Sequence, residues 1–177
     1  METPKKDPLV GTRIREYEIL DVIGKGGMGA VYRARHIYLE EERAIKVIHS
    51  ALSDDQHFID RFIREARILT KLHHPNLVQL HEFGTLENDV FFMVLELLRG
   101  ETAYHRMKRR GKIAIREALE ITQSAALGLF NAHQQRIVHR DVSPDNLFLA
   151  RTGSGQEITK VIDFGIARPH LKHLLSP

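Results

Sequence analysis

A glycine-rich stretch near the N-terminus constrains the fold of this chain more than any other feature. Gly24, Gly26 and Gly29 have the spacing GxGxxG, which by itself is a weak signal. A dinucleotide-binding fold would need a helix to begin in this turn, so that the helix N-terminus can hold a pyrophosphate. The residues from Val31 to Tyr38 are instead typical of a strand. The glycines are therefore expected to join two antiparallel strands, either as a lid over phosphates or as a plain hairpin.

The residues around this stretch predict a small β-rich region with one helix. Strand-like runs are YEILDVI, AVYRARHIYL and RAIKVIH, and two more, NLVQLHEFG and VFFMVLELL, follow later. Between these two groups, Ser53 followed by Gln56 fits a capping box at a helix start. Apolar residues then recur every three or four positions, at Phe58, Phe62, Ala66 and Leu69. The helix is expected to end before Pro75.

The chain after Gly100 has the pattern of helices. A short helix is expected near residues 102–109 and a long one from Ile115 to Gln134. The buried face of the long helix is expected to consist of Ala118, Ile121, Ala125, Leu129 and Ala132. The segments RIVHRD, NLFLA and TKVIDFG predict short strands and loops, with the hairpin tip RTGSGQE between the last two.

Composition excludes several kinds of protein. The 177 residues are 42% hydrophobic and contain no Cys, so disulfides and thiolate metal sites are excluded. The start of the chain has no secretory signal, and the most apolar run, VFFMVLELL, is too short to span a membrane. The 11 His residues show no metal-ligand spacing. We expect a cytoplasmic protein without a membrane segment.

The net charge of +3 gives little information about partners. The basic residues are scattered, with one short cluster at Lys108–Arg110 and no interleaved aromatic residues. A solvated surface is the simpler interpretation of such a pattern, and a nucleic-acid partner is not expected.

One lysine is a candidate for binding an anion, and one glutamate is a candidate for its counter-charge. Lys46 lies in the apolar strand AIKVI, where its neighbours Ile45 and Val47 must face the opposite side. Its ammonium either reaches solvent at an edge or points into a cleft beneath the glycines. Glu65 lies at the margin of the apolar stripe of the predicted helix. It is either a solvated helix residue or the counter-charge that orients Lys46 toward a phosphate.

Three further polar residues suggest metal and proton chemistry. Asp163 follows the strand-like KVI and precedes Phe-Gly, which suits either a Mg²⁺ ligand or a turn-forming residue. Asp141 and Asn146 lie five residues apart in the loop HRDVSPDN. One carboxylate there can accept a proton from a hydroxyl, and the amide oxygen can bind a metal.

Together these stretches resemble the protein kinase family, in particular bacterial Ser/Thr kinases related to the eukaryotic type. The resemblance rests on GKGGMGAVY, AIKVI, REARIL, HHPNLVQL, HRDVSPDN and DFG, in this order, and extends from about Tyr17 to Arg168. It implies an α+β, protein-kinase-like fold with a complete β-rich N-terminal lobe, one key helix and the first part of a helical C-terminal lobe. The implied division is a flexible lead-in at residues 1–12, an N-lobe with hinge at 13–98 and a partial C-lobe at 99–177.

The resemblance also implies a role for particular residues. Asp141 would be the catalytic base, Lys46 would contact ATP phosphates while Glu65 holds it, and Asn146 and Asp163 would bind Mg²⁺. The implied ATP contacts are Ile23, Gly24, Gly26, Gly29, Val31, Ala44, Lys46, Glu96, Leu98 and Phe148. Leu95 would border the back of the pocket. The implied apolar column that aligns the helix with the metal loop consists of Leu69, Leu80, His139 and Phe164.

The sequence departs from the family pattern in two places. Ser143 stands where Ser/Thr kinases of this type carry a Lys that contacts the γ-phosphate, and Asp145 stands where tyrosine kinases often carry Arg. The sequence also ends at Pro177, before the activation segment and later helices of a complete kinase. We therefore expect a truncated C-lobe whose long helix is partly exposed, with self-association through that surface as one consequence.

Two functions follow from these observations. The first is ATP- and Mg²⁺-dependent phosphorylation of Ser or Thr in a protein substrate, weak or absent in this chain. The second is a pseudokinase-like module that binds ATP or a protein partner without catalysis. Ser143 and the early end favour the second function, whereas the retained Lys46, Glu65 and Asp163 favour the first.

Overall fold

The computed structural model describes residues 7–26, 29–48, 55–86 and 90–164. Its first half contains a six-stranded antiparallel sheet in the order β1-β2-β3-β4-β6-β5. The strands are β1 (Arg13–Ile14), β2 (Tyr17–Gly26), β3 (Gly29–His36), β4 (Glu42–Ile48), β5 (Leu80–Thr85) and β6 (Phe91–Glu96). The five predicted strands are confirmed. The two-residue strand β1 was missed, because it is too short to show a period of two.

The glycine-rich stretch forms a hairpin between β2 and β3. The two strands pair antiparallel from Tyr17 opposite His36 to Gly26 opposite Gly29. The chain therefore continues into a strand after the last glycine, which excludes the dinucleotide-binding arrangement and confirms the predicted hairpin.

The helix α1 (Gln56–Leu69) packs against this sheet. Its N-cap is Asp55, whose carboxylate accepts a hydrogen bond from the amide of His57 at 2.9 Å. The predicted cap, Ser53, lies outside the described residues, and the predicted capping box is wrong because Gln56 is the first helical residue. The buried positions are Phe62, Glu65, Ala66 and Leu69, so the predicted stripe includes one charged residue.

Apolar residues cover both faces of the sheet. On one face, Phe62, Leu69 and Met93 belong to a core that includes residues of α1 and reaches the second half of the chain. On the other face, Ile14, Tyr32 and neighbouring residues form a second core, on which Leu9 and Val10 pack. Residues 7–12 were expected within a flexible lead-in, but these two apolar side chains attach them to the outer face.

The second half of the chain contains two helices and a small sheet. The helices are α2 (Ala103–Arg110) and α3 (Ile115–Gln134), and the strands are β7 (Gly100–Thr102), β8 (Leu147–Arg151) and β9 (Glu157–Val161). The sheet is antiparallel in the order β7-β8-β9. Both helices and the β8–β9 hairpin confirm the sequence prediction, whereas β7 was not predicted.

The face of α3 that packs on the protein differs in part from the predicted one. Ile121, Ala125 and Ala132 are buried and Leu129 is partly buried, but Ala118 is exposed. Large apolar side chains are exposed on other sides of the helix, at Ile115, Leu119, Leu127 and Phe130. Because α3 carries apolar side chains on its exposed side as well as on its buried side, periodicity alone does not predict which side is buried. The expected partial exposure of the helix is confirmed.

The loop between α1 and β5 ties the two halves together. The buried Asn76 donates a side-chain hydrogen bond to the carbonyl of Thr159 at 2.8 Å, and its own carbonyl accepts from the amide of Val161 at 2.8 Å. A Cβ added at Gly128 of α3 would lie 2.8 Å from the same carbonyl. The helix therefore approaches the loop so closely that only glycine fits there. These contacts hold β9, and the residues that follow it, against the first sheet.

A buried arginine connects α2 to the rest of the second half. Arg106 is 6% exposed and donates hydrogen bonds to the carboxylates of Glu101, Glu117 and Glu157 at 2.6–3.0 Å. Hydrogen bonds from Arg109 and Arg106 lower the pKa of Glu101 from 4.5 to about 2. The same arginine lowers the pKa of Glu157.

Stability is expected to fall in acid because of these carboxylates. The folded-state pKa of Glu101 is depressed, so its contribution is present above about pH 4.5 and is lost as the pH falls toward about 2. Urea unfolding of Glu101→Gln between these pH values should show a smaller loss of stability than the wild-type chain. The matched control is Glu120→Gln, whose pair with Arg116 is exposed. Parallel profiles for wild type and Glu101→Gln would contradict the prediction.

Candidate active site

The register of the first sheet places several predicted contacts on one face. Val31 pairs with Lys46, Gly24 pairs with Val31, and Ala44 pairs with Leu95. Directly paired residues, and residues two apart on a strand, point to the same side of a sheet. Lys46 and these small or apolar residues therefore line the same surface, with the glycine hairpin at its end. Ile23 lies at an irregularity of the β2–β3 pairing and is about half exposed.

Lys46 is largely buried, with 16% of its side chain exposed, and it is bound by a carboxylate of α1. Its Nζ donates to both oxygens of Glu65, at 2.8 and 2.9 Å, and lies 3.9 Å from Oδ1 of Asp163. Burial disfavours the ammonium, but Glu65 and Asp163 outweigh that effect and raise the pKa of Lys46. The lysine is therefore charged and fixed between two carboxylates, not directed to solvent at an edge. The contact excludes a solvated Glu65 and a solvent-directed Lys46, whereas the phosphate-binding role of the pair stays a prediction.

The loop HRDVSPDN is held by hydrogen bonds of its own side chains. The buried His139 accepts from the amide of Asp141 at Nδ1 (3.3 Å), so Nε2 carries the proton that it shares with the carbonyl of Ile162 (3.2 Å). Burial lowers the pKa of His139, which keeps the ring neutral. Asn146 donates to the carbonyl of Asp141 at 2.8 Å and to its carboxylate at 3.2 Å. Asp141 is thereby fixed in both backbone and side chain.

The same loop is joined to the residues that follow β9. The amide of Ile162 donates to the carbonyl of Asn146 at 2.9 Å. Arg140 and Asp163 have positive φ values of 65° and 55°, in the left-handed region that costs energy for residues other than glycine. Two unfavourable backbone conformations are therefore maintained beside the cleft, which is typical of functional sites.

The side chains present fit a divalent cation. The carboxylate of Asp163 lies near Lys46, and because its side chain is 47% exposed it is also accessible to a ligand. Within the described ranges, no donor contacts Oδ1 of Asn146, whose amide nitrogen is already used. The described residues hold no cluster of three or more His, Cys, Asp or Glu side chains suited to a metal. An amide oxygen and one carboxylate match the few protein ligands that Mg²⁺ takes when phosphates and water complete its shell.

The last glycine of the GxGxxG stretch is required by the sheet itself. A Cβ at Gly29 would lie 2.1 Å from the carbonyl oxygen of Val47, whereas at Gly24 the nearest atom is 3.8 Å away. We expect Gly29→Ala to push β3 from β4 and to lower the free energy of unfolding by about 2 kcal/mol. Gly24→Ala, as the matched control, should leave stability unchanged in the same urea titration. Equal stability of the two variants would contradict this.

The segment between the two halves is fixed by an ion pair that the sequence did not reveal. Glu96 accepts from Nζ of Lys160 at 2.7 Å and from the amide of Gln79 at 2.8 Å. No local sequence signal predicts this role for Lys160, because it lies 64 residues from Glu96 and resembles any other lysine in a strand. Leu98 follows in the same segment, and Phe148 lies on β8, paired with Lys160.

The predicted apolar column is buried in the structure. Its members, Leu69, Leu80, His139 and Phe164, are each at most 8% exposed. The rings of His139 and Phe164 lie 4.7 Å apart between centroids. Leu69, Leu80 and Phe164 belong to one hydrophobic core. This packing links α1, which carries Glu65, to the loop that carries Asp163.

The ordered motifs predicted a protein-kinase-like fold, and comparison with known proteins tests this prediction. Residues 17–173 match the protein kinase domain family. The chain belongs to the protein kinase family, and its relatives are bacterial serine/threonine kinases.

Individual relatives show how much of a kinase this sequence spans. It is 41% identical over 160 residues to the serine/threonine-protein kinase PrkC of Bacillus subtilis, covering 90% of this chain and 24% of that protein. It is 32% identical over 169 residues to pkn3 of Myxococcus xanthus, covering 95% of this chain and 31% of that protein. The chain thus spans about a quarter to a third of these relatives.

Solved structures agree with the sequence relatives. The crystal structure of the PknI kinase domain of Mycobacterium tuberculosis superposes with a TM-score of 0.76 at 30% identity. The match covers 90% of this chain and 63% of that domain. The predicted kinase-like fold is confirmed. Among the helices that the structure describes, none is long and apolar enough to cross a membrane.

Proposed function

We propose that this chain binds ATP with Mg²⁺ and transfers the γ-phosphate to a Ser or Thr hydroxyl of a protein. The observation that carries the proposal is the buried Lys46, which is fixed between Glu65 and Asp163 on the surface that ends at the glycine hairpin. An ammonium that is already fixed in this position is suited to binding phosphate oxygens. Preorganised charge of this kind supplies most of the catalysis in phosphoryl transfer.

Each residue of the site has a proposed task. Val31, Ala44 and Phe148 bound the adenine, with the backbone of Glu96–Leu98 beside it. The hairpin amides cover the phosphates, and Lys46 orients them. Asn146 and Asp163 would hold Mg²⁺, which neutralises phosphate charge when bound. Asp141, oriented by His139 and Asn146, accepts the proton of the substrate hydroxyl.

Ser143 favours a second candidate function. Among the described residues of the loop, Ser143 lies where a cation would contact the γ-phosphate, and a hydroxyl offers only a neutral hydrogen bond. The alternative is a pseudokinase-like module that binds ATP or a protein partner and transfers slowly or not at all. If the module binds ATP, the two functions differ only in the chemical step.

Two measurements on the purified chain test these functions. Millimolar ATP with Mg²⁺ should raise the unfolding temperature, because a ligand that binds only the folded state stabilises it. Radiolabelled ATP should then label a generic protein acceptor, and the label should disappear in Asp141→Asn. Absence of the thermal shift contradicts the kinase function and the ATP-binding form of the alternative. If ATP with Mg²⁺ raises the unfolding temperature but no Asp141-dependent labelling is seen, the non-catalytic function is selected.

The proposal includes a location and a partner surface. We propose that the protein is cytoplasmic and that its two lobes divide at residues 98–99. We also infer that the exposed side of α3 associates with a second copy of the chain. The apolar side chains concerned are Ile115, Leu119, Leu127 and Phe130. Sedimentation velocity should show association that Phe130→Glu removes. The control Tyr38→Glu changes an exposed aromatic residue elsewhere, and an effect equal to that of Phe130→Glu would contradict the assignment.

A further inference from the structure

The lysine inside the glycine hairpin points away from the cleft. Lys25 pairs with Ala30, and directly paired residues point to the same side of a sheet. Ala30 is buried in the core of the outer face together with Tyr32. Val31, which pairs with Lys46, points to the opposite side. The ammonium of Lys25 is therefore not directed at the surface where phosphates are proposed to bind.

A carboxylate from the N-terminal segment binds this lysine on the outer face. Oδ2 of Asp7 lies 3.0 Å from Nζ of Lys25, and Oδ1 accepts from the hydroxyl of Tyr32 at 3.0 Å and from the amide of Leu9 at 3.3 Å. The side chain of Asp7 is only 13% exposed. Burial acts to raise the pKa of Asp7, but these hydrogen bonds outweigh it and lower the pKa, so the carboxylate is ionised at neutral pH.

Asp7 belongs to a segment that is itself fixed to the sheet. The amide of Gly11 donates to the carbonyl of Ile19 at 2.9 Å, and the amide of Ile19 donates to the carbonyl of Thr12 at 3.0 Å. Leu9 and Val10 pack on the outer core. A carboxylate on an anchored segment can restrain the group that it binds, which a carboxylate on a free terminus cannot do.

We infer that Asp7 is a positioning residue for nucleotide binding, which holds the glycine hairpin through Lys25 from the face opposite the cleft. This inference rests on the proposed binding of ATP. The described end of the hairpin, at Lys25, Gly26 and Gly29, is held by strand pairing and, on the outer face, by the Asp7–Lys25 ion pair. With the hairpin held in place, less conformational freedom is lost when its amides close on phosphates.

The ion pair also determines which groups of the hairpin are available to bind phosphate. Lys25 is the one cation in GKGGMG, and its charge is compensated by Asp7 on the outer face. The contribution of the hairpin to the binding of phosphates then comes from backbone amides and not from an ammonium. Because Lys25 is 63% exposed, salt screens the pair and a moderate effect is expected.

The test measures the dissociation constant of a fluorescent ATP analogue with Mg²⁺ for the full chain and its variants. Asp7→Asn and Lys25→Met should each raise the Kd by roughly two- to five-fold. The double variant should be no weaker than either single variant, because both changes remove one interaction. The matched control is Glu82→Gln, which breaks the exposed pair with Arg15 elsewhere on the sheet, and its Kd should equal that of the wild type.

Three outcomes would overturn the inference. Tighter binding by Asp7→Asn would mean that a released Lys25 reaches the phosphates. An unchanged Kd would mean that the pair is only a surface contact. Additive losses in the double variant would mean that Asp7 acts through the stability of the lobe and not through Lys25.

A measurement without nucleotide separates this inference from the proposed function. Hydrogen exchange of the hairpin amides should accelerate in Asp7→Asn and in Lys25→Met, but not in Glu82→Gln, in the ligand-free chain. If the wild-type chain bound no nucleotide while this pattern appeared, the proposed function would fail and the restraint of the hairpin by Asp7 would stand. Unchanged exchange in both variants would overturn the restraint itself.

Discussion

Lys46→Met is expected to lower the free energy of unfolding by about 3–5 kcal/mol and to abolish phosphoryl transfer. Lys46 is buried against Glu65, which is 7% exposed, and removing one partner of a buried ion pair leaves the other charge uncompensated. Asp163 loses a nearby cation as well. For a chain of this length the unfolding temperature should fall on the order of 10 °C. Urea unfolding and differential scanning calorimetry measure the effect.

A double variant separates the structural effect of Lys46 from its role toward phosphate. Lys46→Met combined with Glu65→Leu replaces both charges by apolar groups of similar size, which is often close to neutral for stability. The double variant should therefore recover most of the lost unfolding free energy. It should still fail in radiolabelled transfer and bind ATP with Mg²⁺ more weakly than the wild type. Recovery of transfer together with stability would show that Lys46 only maintains the fold.

Ser143→Lys is expected to raise the rate of phosphoryl transfer by roughly 10²-fold, since the removal of one preorganised donor costs 10²–10³-fold in enzymes. Ser143 precedes the 3₁₀ turn Pro144–Asn146 and follows Asp141 by two residues. A lysine at this position would bring a cation beside the proposed base, where charge on the transferred group is neutralised. The initial rate with radiolabelled ATP measures the gain.

The controls for this gain distinguish charge from structure. Ser143→Met matches the length of lysine without its charge and should give no increase. Asp141→Asn in the Ser143→Lys background should remove the transfer. If Ser143→Lys transfers no faster than the wild type, the missing cation does not limit the reaction, and the non-catalytic function is favoured.

Much of the site was predictable because its motifs are local in sequence. GxGxxG with a following strand pattern predicted the hairpin, and HRDVSPDN with DFG predicted the neighbourhood of Asp141, Asn146 and Asp163. Lys46 and Glu65 were proposed as a pair, and the structure places them in contact. The catalytic and binding roles of these residues remain predictions that the experiments above test.

The errors occurred where local pattern is ambiguous. Ala118 was assigned to the buried face of α3, but it is exposed, because apolar residues occur all round that helix. Ser53 was predicted as the N-cap of α1, but the N-cap is Asp55. The prediction was wrong because several residues before this helix are good N-caps. Residues 7–12 were interpreted as part of a flexible lead-in, because a polar, Pro-containing segment does not reveal that Leu9 and Val10 pack on the sheet.

The sequence by itself determined the family, the order of the longer strands and of the three helices, and the charged residues proposed for the site. Only the tertiary structure decided the other ion pairs: Lys46 near Asp163, Lys160 with Glu96, and Asp7 with Lys25 on the outer face. Periodicity and capping act over a few residues, and they set local structure. Ion pairs between distant residues, and the direction in which a hairpin lysine points, depend on strand register and on packing that forms only when the whole chain folds.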